Sequence, residues 1–209
     1  MTGRIRQVPG WLLICALAFG AALILLVGAS LRRPSPGSFA PSATGPHPVG
    51  DSLVRGRTYT LDARDPRTWA FFDFSRGSAV QAPGPVEWDL AVRRHRIIVN
   101  GGESFAGAAG VRVLGNIALD SIRRAPEDGY RGTLGALDRR ARQPGLDGWY
   151  RYHFLSHLLG PRPRTYALRT ADGRYAVLRI LSYYCPAAQA GCLTFRYTYQ
   201  GDGTPRLVP

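Results

Sequence analysis

The feature that most constrains this chain is an uncharged apolar run near its N-terminus, Trp11 to Leu31. As a helix rising about 1.5 Å per residue, a run of this length crosses a hydrocarbon core of roughly 30 Å. Arg4 and Arg6 precede it, and export machinery reads a short basic start before an apolar segment. The run therefore predicts one transmembrane helix over 11–31, with residues 1–10 in the cytoplasm and everything after it outside.

A removed signal peptide is the alternative interpretation of the same run. Small residues at Val27-Gly28-Ala29 offer a cleavage point, which would give a secreted protein, whereas the length of the run favours an uncleaved anchor. Cys15 lies early in the run rather than at its end after a small residue, so a lipid anchor is not predicted. We expect Cys15 to be a buried apolar thiol.

The chain after the apolar run divides by composition. Residues 32–50 are rich in Pro, Gly and Ser, which predicts an extended linker. Residues 51–209 form the expected domain, and its 23 Arg against 14 acidic residues give a formal charge of about +9. The arginines are scattered and the domain is exported, so no nucleic-acid partner is predicted. The charge instead favours an acidic ligand or an anionic membrane surface.

Strand patterns dominate the domain and predict a mostly β fold, a single antiparallel domain after the N-terminal helix. They occupy Arg57–Ala63, Trp69–Phe74, Val86–Val99, Val111–Leu114, Thr165–Thr170, Arg174–Cys185 and Leu193–Gln200. The last alternates Leu, Phe and Tyr with Thr, Arg and Gln, which predicts a half-buried strand. Turn residues stand at Asn100-Gly101-Gly102 and Ala171-Asp172-Gly173.

Two stretches are less regular. Residues 120–147 contain several Gly and Pro, and predict a long surface excursion suited to a binding loop, with one short helix over Leu134–Arg142. Residues 149–159 fit either a helix or a strand.

Cys185 and Cys192 bracket the short connection between the last two strands. In an oxidising compartment such a pair forms a disulfide, with a stabilisation of about 2–3 kcal/mol for so short a loop. Their spacing matches neither a CxxC redox pair nor a common zinc motif. The sequence also lacks a nucleophile elbow, an HExxH motif and a phosphate loop, so an enzyme is not predicted.

Four segments in this order resemble the HmuY-like family of haem-binding proteins: Phe71–Gly77, Trp88–Gly102, Trp149–Cys185 and Gly191–Gly203. The resemblance implies a compact all-β domain in an exported location. It also implies haem capture, in which two side chains hold the iron from opposite faces, without a reaction. An outer-membrane receptor is the partner that the resemblance suggests.

The resemblance directs attention to histidines, since the only methionine is Met1. The candidate haem ligands are His157, His153 and His95, in that order. His157 is expected at a junction between strand and loop. His153, four residues earlier, would point the same way as His157 in either a helix or a strand. The two are predicted as iron ligands and could chelate one metal ion, but a ligand on the opposite face of a haem must then come from elsewhere. His95 is expected in the middle of a strand, and a lone histidine there is more often structural.

The neighbours of His157 fit a porphyrin in part. Trp149, Tyr150, Tyr152 and Phe154 could pack against its face, and Arg151, Arg162 and Arg164 could pair with its propionates. The same aromatic residues could equally belong to the core and the arginines to a solvated surface. The alternative function is therefore an extracytoplasmic interaction domain that has lost its haem ligands.

Overall fold

The computed structural model of the chain describes residues 9–31, 35–45, 50–138 and 140–209. Arg4 and Arg6 of the predicted basic start, and parts of the predicted linker at 32–34 and 46–49, lie outside the described residues. The chain divides into two compact units. One contains the N-terminal residues up to Ser35 with His153–Leu158, and the other contains Pro36–Tyr152 and Leu159–Pro209.

The apolar run is a continuous helix, α1, over Gly10–Leu31. It is long and apolar enough to cross a membrane by length and composition. Its large side chains are exposed from Trp11 at 64% to Leu31 at 81%, and Cys15 is an exposed free thiol. The prediction that Cys15 is buried is therefore wrong within the folded chain, because the described residues leave the surface of this helix exposed.

Eleven strands and two short 3-10 helices, Leu119–Ser121 and Pro186–Ala188, make up the rest of the regular structure in the described residues. In chain order the strands are β1 Leu53–Asp62, β2 Ala70–Asp73, β3 Ser78–Val80, β4 Leu90–Arg93, β5 Arg96–Val99, β6 Gly110–Gly115, β7 Tyr150–His153, β8 Leu158–Pro161, β9 Thr165–Arg169, β10 Tyr175–Cys185 and β11 Gln189–Gln200. They form a five-stranded sheet in the order β1-β11-β10-β9-β6, a four-stranded sheet in the order β3-β2-β4-β5, and the pair β7-β8. The strand pairs of the two larger sheets are antiparallel, which confirms the predicted fold class.

Aromatic side chains join the two larger sheets. Phe72 of the four-stranded sheet contacts Phe195 and Tyr197 of β11, with ring centroids 5.1 and 5.7 Å apart. Tyr59 of β1 lies 4.8 Å from Phe72 by the same measure. All four rings are buried, so this layer is the main core of the domain.

The prediction that β11 is half-buried is wrong. Thr194 and Thr198, on its polar face, are 0% and 5% exposed. That face of the five-stranded sheet is also covered: a second apolar cluster includes Leu119 just before the irregular excursion, Ala125 within it and Leu207 from the C-terminal tail. Thr194 is accommodated because its hydroxyl hydrogen-bonds the hydroxyl of Thr60 at 3.0 Å.

The segment Val86–Val99, predicted as one long strand, is two strands joined by a tight turn. Arg93 of β4 pairs with Arg96 of β5, which leaves Arg94 and His95 as the turn. Arg94 has a φ of 55°, in the left-handed region that non-glycine residues seldom adopt. The prediction failed because neither turn residue is a Gly, Asn or Asp, and the apolar pattern continues on both sides.

The short helix predicted over Leu134–Arg142 is also wrong. Leu134 and Arg142 instead form an isolated antiparallel bridge, with Leu134 N donating to Arg142 O at 2.8 Å and the reverse bond at 3.0 Å. The Asp138 carboxylate accepts from the amides of Arg140 and Ala141, which closes the loop between the bridged residues. Residues 149–159, left open between helix and strand, contain β7 and the start of β8.

The predicted disulfide is confirmed: Cys185 and Cys192 are bonded across the β10–β11 connection.

Part of the predicted linker is extended and hydrogen-bonded to the domain. Phe39 N donates to Tyr184 O at 2.9 Å, and Ser42 N donates to Thr60 O at 2.9 Å. The Thr60 amide donates back to the Ser42 hydroxyl, so Ser42 pairs with β1 along its outer edge.

Candidate ligand cleft at the β4–β5 turn

The turn between β4 and β5 is fixed by contacts from distant parts of the chain. Arg94 N donates to Ala63 O at 3.0 Å, and its guanidinium Nη1 donates to Arg64 O at 3.2 Å and to Ala190 O at 2.9 Å. Ala190 lies inside the loop closed by the disulfide. These bonds offset the cost of the left-handed backbone at Arg94 and hold His95 at the outer end of the hairpin.

His95 is exposed but packed on one side. Its carbonyl accepts a hydrogen bond from the indole Nε1 of buried Trp149 at 2.8 Å, and its ring meets the Tyr150 ring edge to face at 5.7 Å. Desolvation of the ring, followed by the positive charges of Arg96 and Arg94, lowers the pKa of His95 below its ordinary value. A neutral imidazole, the form that binds metals, is therefore favoured near neutral pH.

A cavity of about 490 Å³ opens beside this turn. Its lining residues come from the β4–β5 turn, β5, the excursion and the start of β7: His95, Arg96, Ile97, Arg140, Ala141, Arg142, Leu146, Asp147 and Tyr150. We refer to this cavity as the His95 cleft. Ile97, Leu146 and the Tyr150 ring give it apolar surface, and three arginines against one aspartate give it a positive potential.

The arginines of the cleft differ in their pairing. Arg142 Nε lies 3.1 Å from the Asp147 carboxylate, which balances its charge. Arg140 has no carboxylate partner among the residues that the structure describes. Arg140 is therefore the lining cation best placed to meet an added anion.

The wall of the cleft opposite β5 is a stiff loop rather than a mobile one. Gln143 is fully buried and its side-chain amide donates to Arg131 O at 2.7 Å. Trp149 N donates to Leu146 O at 3.1 Å, and the Trp149 side chain is 1% exposed. The cleft is thus pre-formed, as most ligand sites are.

A second hollow, of about 440 Å³, lies on the other side of the same turn. It is lined by Pro66, Arg67, Arg93, Arg94, His95 and Arg96. Arg93 stacks its guanidinium carbon 4.4 Å from the centroid of the Trp69 ring and donates to Asp138 O at 3.3 Å. His95 therefore borders two hollows, both of them rich in arginine.

His153 and His157 lie elsewhere, on the β7–β8 hairpin. His153 ends β7 and His157 follows in the turn with a φ of 55°, and both are exposed. The His157 ring lies 6.1 Å from that of Phe154. These two belong to the compact unit that holds the N-terminal residues, whereas His95 belongs to the other unit. Across the described residues, no three His, Cys, Asp or Glu side chains converge as a metal site.

The residues predicted to surround a porphyrin are dispersed by the fold. Trp149 is core, Tyr150 lines the His95 cleft, and Tyr152 and Phe154 are exposed at 51% and 77%. Arg162 turns its Nε to the Tyr150 carbonyl at 3.0 Å. Sequence reasoning missed Arg140 and Arg142, although the basic run Arg139-Arg140-Ala141-Arg142 is visible in the sequence as a possible anion-binding signal.

Comparison with known proteins gives a consistent picture. A family model described as HmuY protein matches residues 65–132. No curated protein is detectably similar in sequence to this chain. The family match confirms the resemblance to HmuY-like proteins predicted from the sequence.

Crystal structures of three proteins share the fold. An apo HmuY analog from Tannerella forsythia is 13% identical, with a TM-score of 0.58 over 71% of this chain and 97% of that one. A Bacteroides vulgatus protein described as HmuY-like and heme binding is 22% identical, with a TM-score of 0.54 over 79% and 98%. A Bacteroides fragilis protein described as a lipoprotein is 20% identical, with a TM-score of 0.55 over 68% and 90%.

Proposed function

We propose that this chain, which has the fold of HmuY-like proteins, is an exported haem- or tetrapyrrole-binding protein that works at a membrane and catalyses no reaction. The observation that carries the proposal is the His95 cleft, where an imidazole with a lowered pKa shares a cavity with unbalanced positive charge. Support from the relatives is limited to the shared fold and the family match.

The cleft residues fit a haem in three respects. A cavity of about 490 Å³ lies within the range of roughly 300–1,000 Å³ typical of small-molecule sites. Arg140 and Arg96 offer charge-assisted hydrogen bonds to carboxylates such as the propionates. Ile97, Leu146 and Tyr150 offer apolar and aromatic surface to a planar ring.

Bound haem would supply an iron centre that accepts an imidazole nitrogen as a ligand. In this chain His95 would provide that nitrogen, held by the Trp149 bond to its carbonyl and by the three Arg94 bonds. The cleft contains one histidine, so the proposal gives the iron one imidazole from the cleft. His157 and His153 stay candidates on the β7–β8 hairpin and are tested in parallel.

The location forms part of the proposal. Residues 11–31 would anchor the chain as a single-pass helix with the domain on the extracytoplasmic, periplasmic side, where the Cys185–Cys192 disulfide persists. Cleavage after Ala29 is the alternative and would release the domain. Mass spectrometry of the N-terminal peptide in the membrane fraction separates the two. A receptor in the outer membrane is the proposed recipient of the ligand.

Haemin titration of the full chain in detergent tests the binding function. We expect a shifted Soret band for the native protein, a loss of affinity of at least about tenfold in His95→Ala, and little change in His157→Ala or His153→Ala, which are the matched controls. A spectrum identical to that of free haemin for the native chain would remove the haem function. That result would favour the alternative function, an interaction domain without haem. The presence of a single imidazole in the cleft also supports that alternative.

A loss confined to His157→Ala would keep haem binding and move the site to the hairpin. Arg140→Gln adds a second readout, because a charge-assisted bond to a propionate gives a salt-dependent loss that a structural role would not give.

A further inference from the structure

We propose that the tip of the β7–β8 hairpin is a membrane-contact element. It inserts into the surface of the membrane to which the domain is anchored. The occupant of this surface is a bilayer with acidic headgroups. The inference rests on the proposed anchoring by α1, and it does not depend on haem binding.

The tip of the hairpin is apolar, whereas a turn exposed to water is ordinarily polar. Phe154 is 77% exposed, Leu155 66% and Tyr152 51%, all within four residues. Isolated exposed apolar residues are ordinary, but a cluster on a loop marks an interaction surface. A ring with a polar end, such as that of Tyr152, favours the boundary between lipid and water.

The charge around the tip has one sign. From Gly148 to Arg164 the chain contains Arg151, Arg162 and Arg164 but no Asp or Glu. Arg151 is exposed on β7 next to Tyr152. Basic side chains are attracted to an anionic membrane surface, so headgroup charge and apolar insertion would act together.

The tether, the segment from residue 32 to Phe39 that follows α1, reaches the domain beside β8 of this hairpin. Tyr184 makes both connections: its carbonyl accepts from Phe39 N at 2.9 Å, and its hydroxyl accepts from Leu159 N, in β8, at 2.7 Å. The Ser182 hydroxyl also hydrogen-bonds the Gly37 carbonyl. The residue that receives the tether is therefore hydrogen-bonded to the second residue of β8, close in sequence to the tip.

The tether is also short. Six Cα–Cα steps separate Leu31, the last residue of α1, from Gly37. A fully extended chain covers at most about 3.6 Å per residue, which limits the tether to roughly 22 Å. With α1 in the bilayer, Gly37 and Tyr184 cannot move far from the membrane surface. Phe39 and Leu181, 39% and 37% exposed, add apolar surface at the same end.

An environment-sensitive dye on the full chain tests the proposal. Cys15→Ser removes the free thiol and Leu155→Cys places nitrobenzoxadiazole at the tip. Val86→Cys is the matched control because Val86 is 51% exposed. Its neighbour Pro85 accepts a hydrogen bond from the Asn100 side chain, and the Asn100 carbonyl accepts one from Ala109 N. These contacts connect Val86 to the region of the β9–β10 turn, at the end of β10 that is far from Tyr184. Nine residue steps along β10 separate these ends by about 30 Å.

The labelled chains are reconstituted into vesicles of phosphatidylcholine with or without phosphatidylglycerol. We expect a blue shift of emission at position 155 and quenching by lipids with spin labels near the headgroup, both stronger with phosphatidylglycerol, and neither effect at position 86. Equal, water-like emission at the two positions overturns the proposal. Equal shifts in the two lipid mixtures overturn the part assigned to arginine charge.

A second variant separates insertion from folding. Phe154→Asp in the Leu155→Cys chain should abolish the shift without lowering the melting temperature, because Phe154 is exposed and contributes little to the core. Haemin titration of the same vesicles keeps the two proposals apart. Loss of haem binding with the shift intact removes only the haem function, and the reverse result removes only the membrane contact.

Discussion

The two hairpins that carry histidines differ in what surrounds their turns. At β4–β5, Arg94 and His95 are held by the backbone of residues 63, 64 and 190 and by the indole of Trp149. At β7–β8, the turn presents Phe154 and Leu155 to the outside. Both turns combine histidine with nearby arginine in the sequence. The difference teaches that a histidine becomes a ligand candidate through packing from distant segments rather than through its local sequence.

The largest expected effect separates the supports of the two hairpins. Trp149→Ala should lower the free energy of unfolding by about 3–5 kcal/mol, because a fully buried indole leaves a cavity and the His95 carbonyl loses its donor. Phe154→Ala should change it by less than about 0.5 kcal/mol. Urea denaturation followed by near-ultraviolet circular dichroism measures both. Equal losses in the two variants would contradict the contrast drawn between the hairpins.

The disulfide gives the next largest effect. Replacing Cys185 and Cys192 by Ser should cost about 2–3 kcal/mol of unfolding free energy. It should also weaken haem binding, since the Ala190 carbonyl that holds Arg94 lies within the freed loop. Cys15→Ser is the control and should change neither quantity. Unchanged haem affinity in the double variant would show that the turn does not depend on this loop.

The smallest effect concerns protonation of the cleft. Nuclear magnetic resonance titration should place the pKa of His95 below its ordinary value of about 6.5, and Arg96→Gln should bring it closer to that value. Because the unfolded chain binds this proton more readily, His95 makes stability fall as the pH drops through about 6.5. Lys in place of Arg96 keeps the charge and serves as control. A His95 pKa at or above 6.5 would remove the electrostatic argument for a neutral ligand.

The parts of the fold that follow from local pattern could be predicted. The apolar helix, the alternating strands at the C-terminus and the disulfide each depend on residues close in the chain. The β4–β5 turn could not, because its backbone is stabilised by carbonyls of residues 63, 64 and 190. For the same reason β11 was expected to be half-buried, although Thr194 and Thr198 are buried and Leu119, Ala125 and Leu207 pack on β9 and β10 across the same face of the sheet.

The choice among the candidate histidines stays a prediction. The sequence placed His157 first, whereas the structure places a cavity beside His95. Arg140 and His95 are 45 residues apart in the sequence. Only the excursion that bridges Leu134 to Arg142 and buries Gln143 brings Arg140 to the same cavity as β5. No local pattern encodes that approach.

The pairing of Ser42 with Thr60 bears on how the domain avoids self-association. β1 is an outer strand of the five-stranded sheet, and an open outer strand is a template on which a second chain can add. Ser42 occupies the Thr60 amide and carbonyl and so blocks that template near the C-terminal end of β1. A truncated domain that starts at Asp51, the boundary predicted from composition alone, would lose the Ser42 pairing on β1. It would therefore be prone to edge-to-edge aggregation.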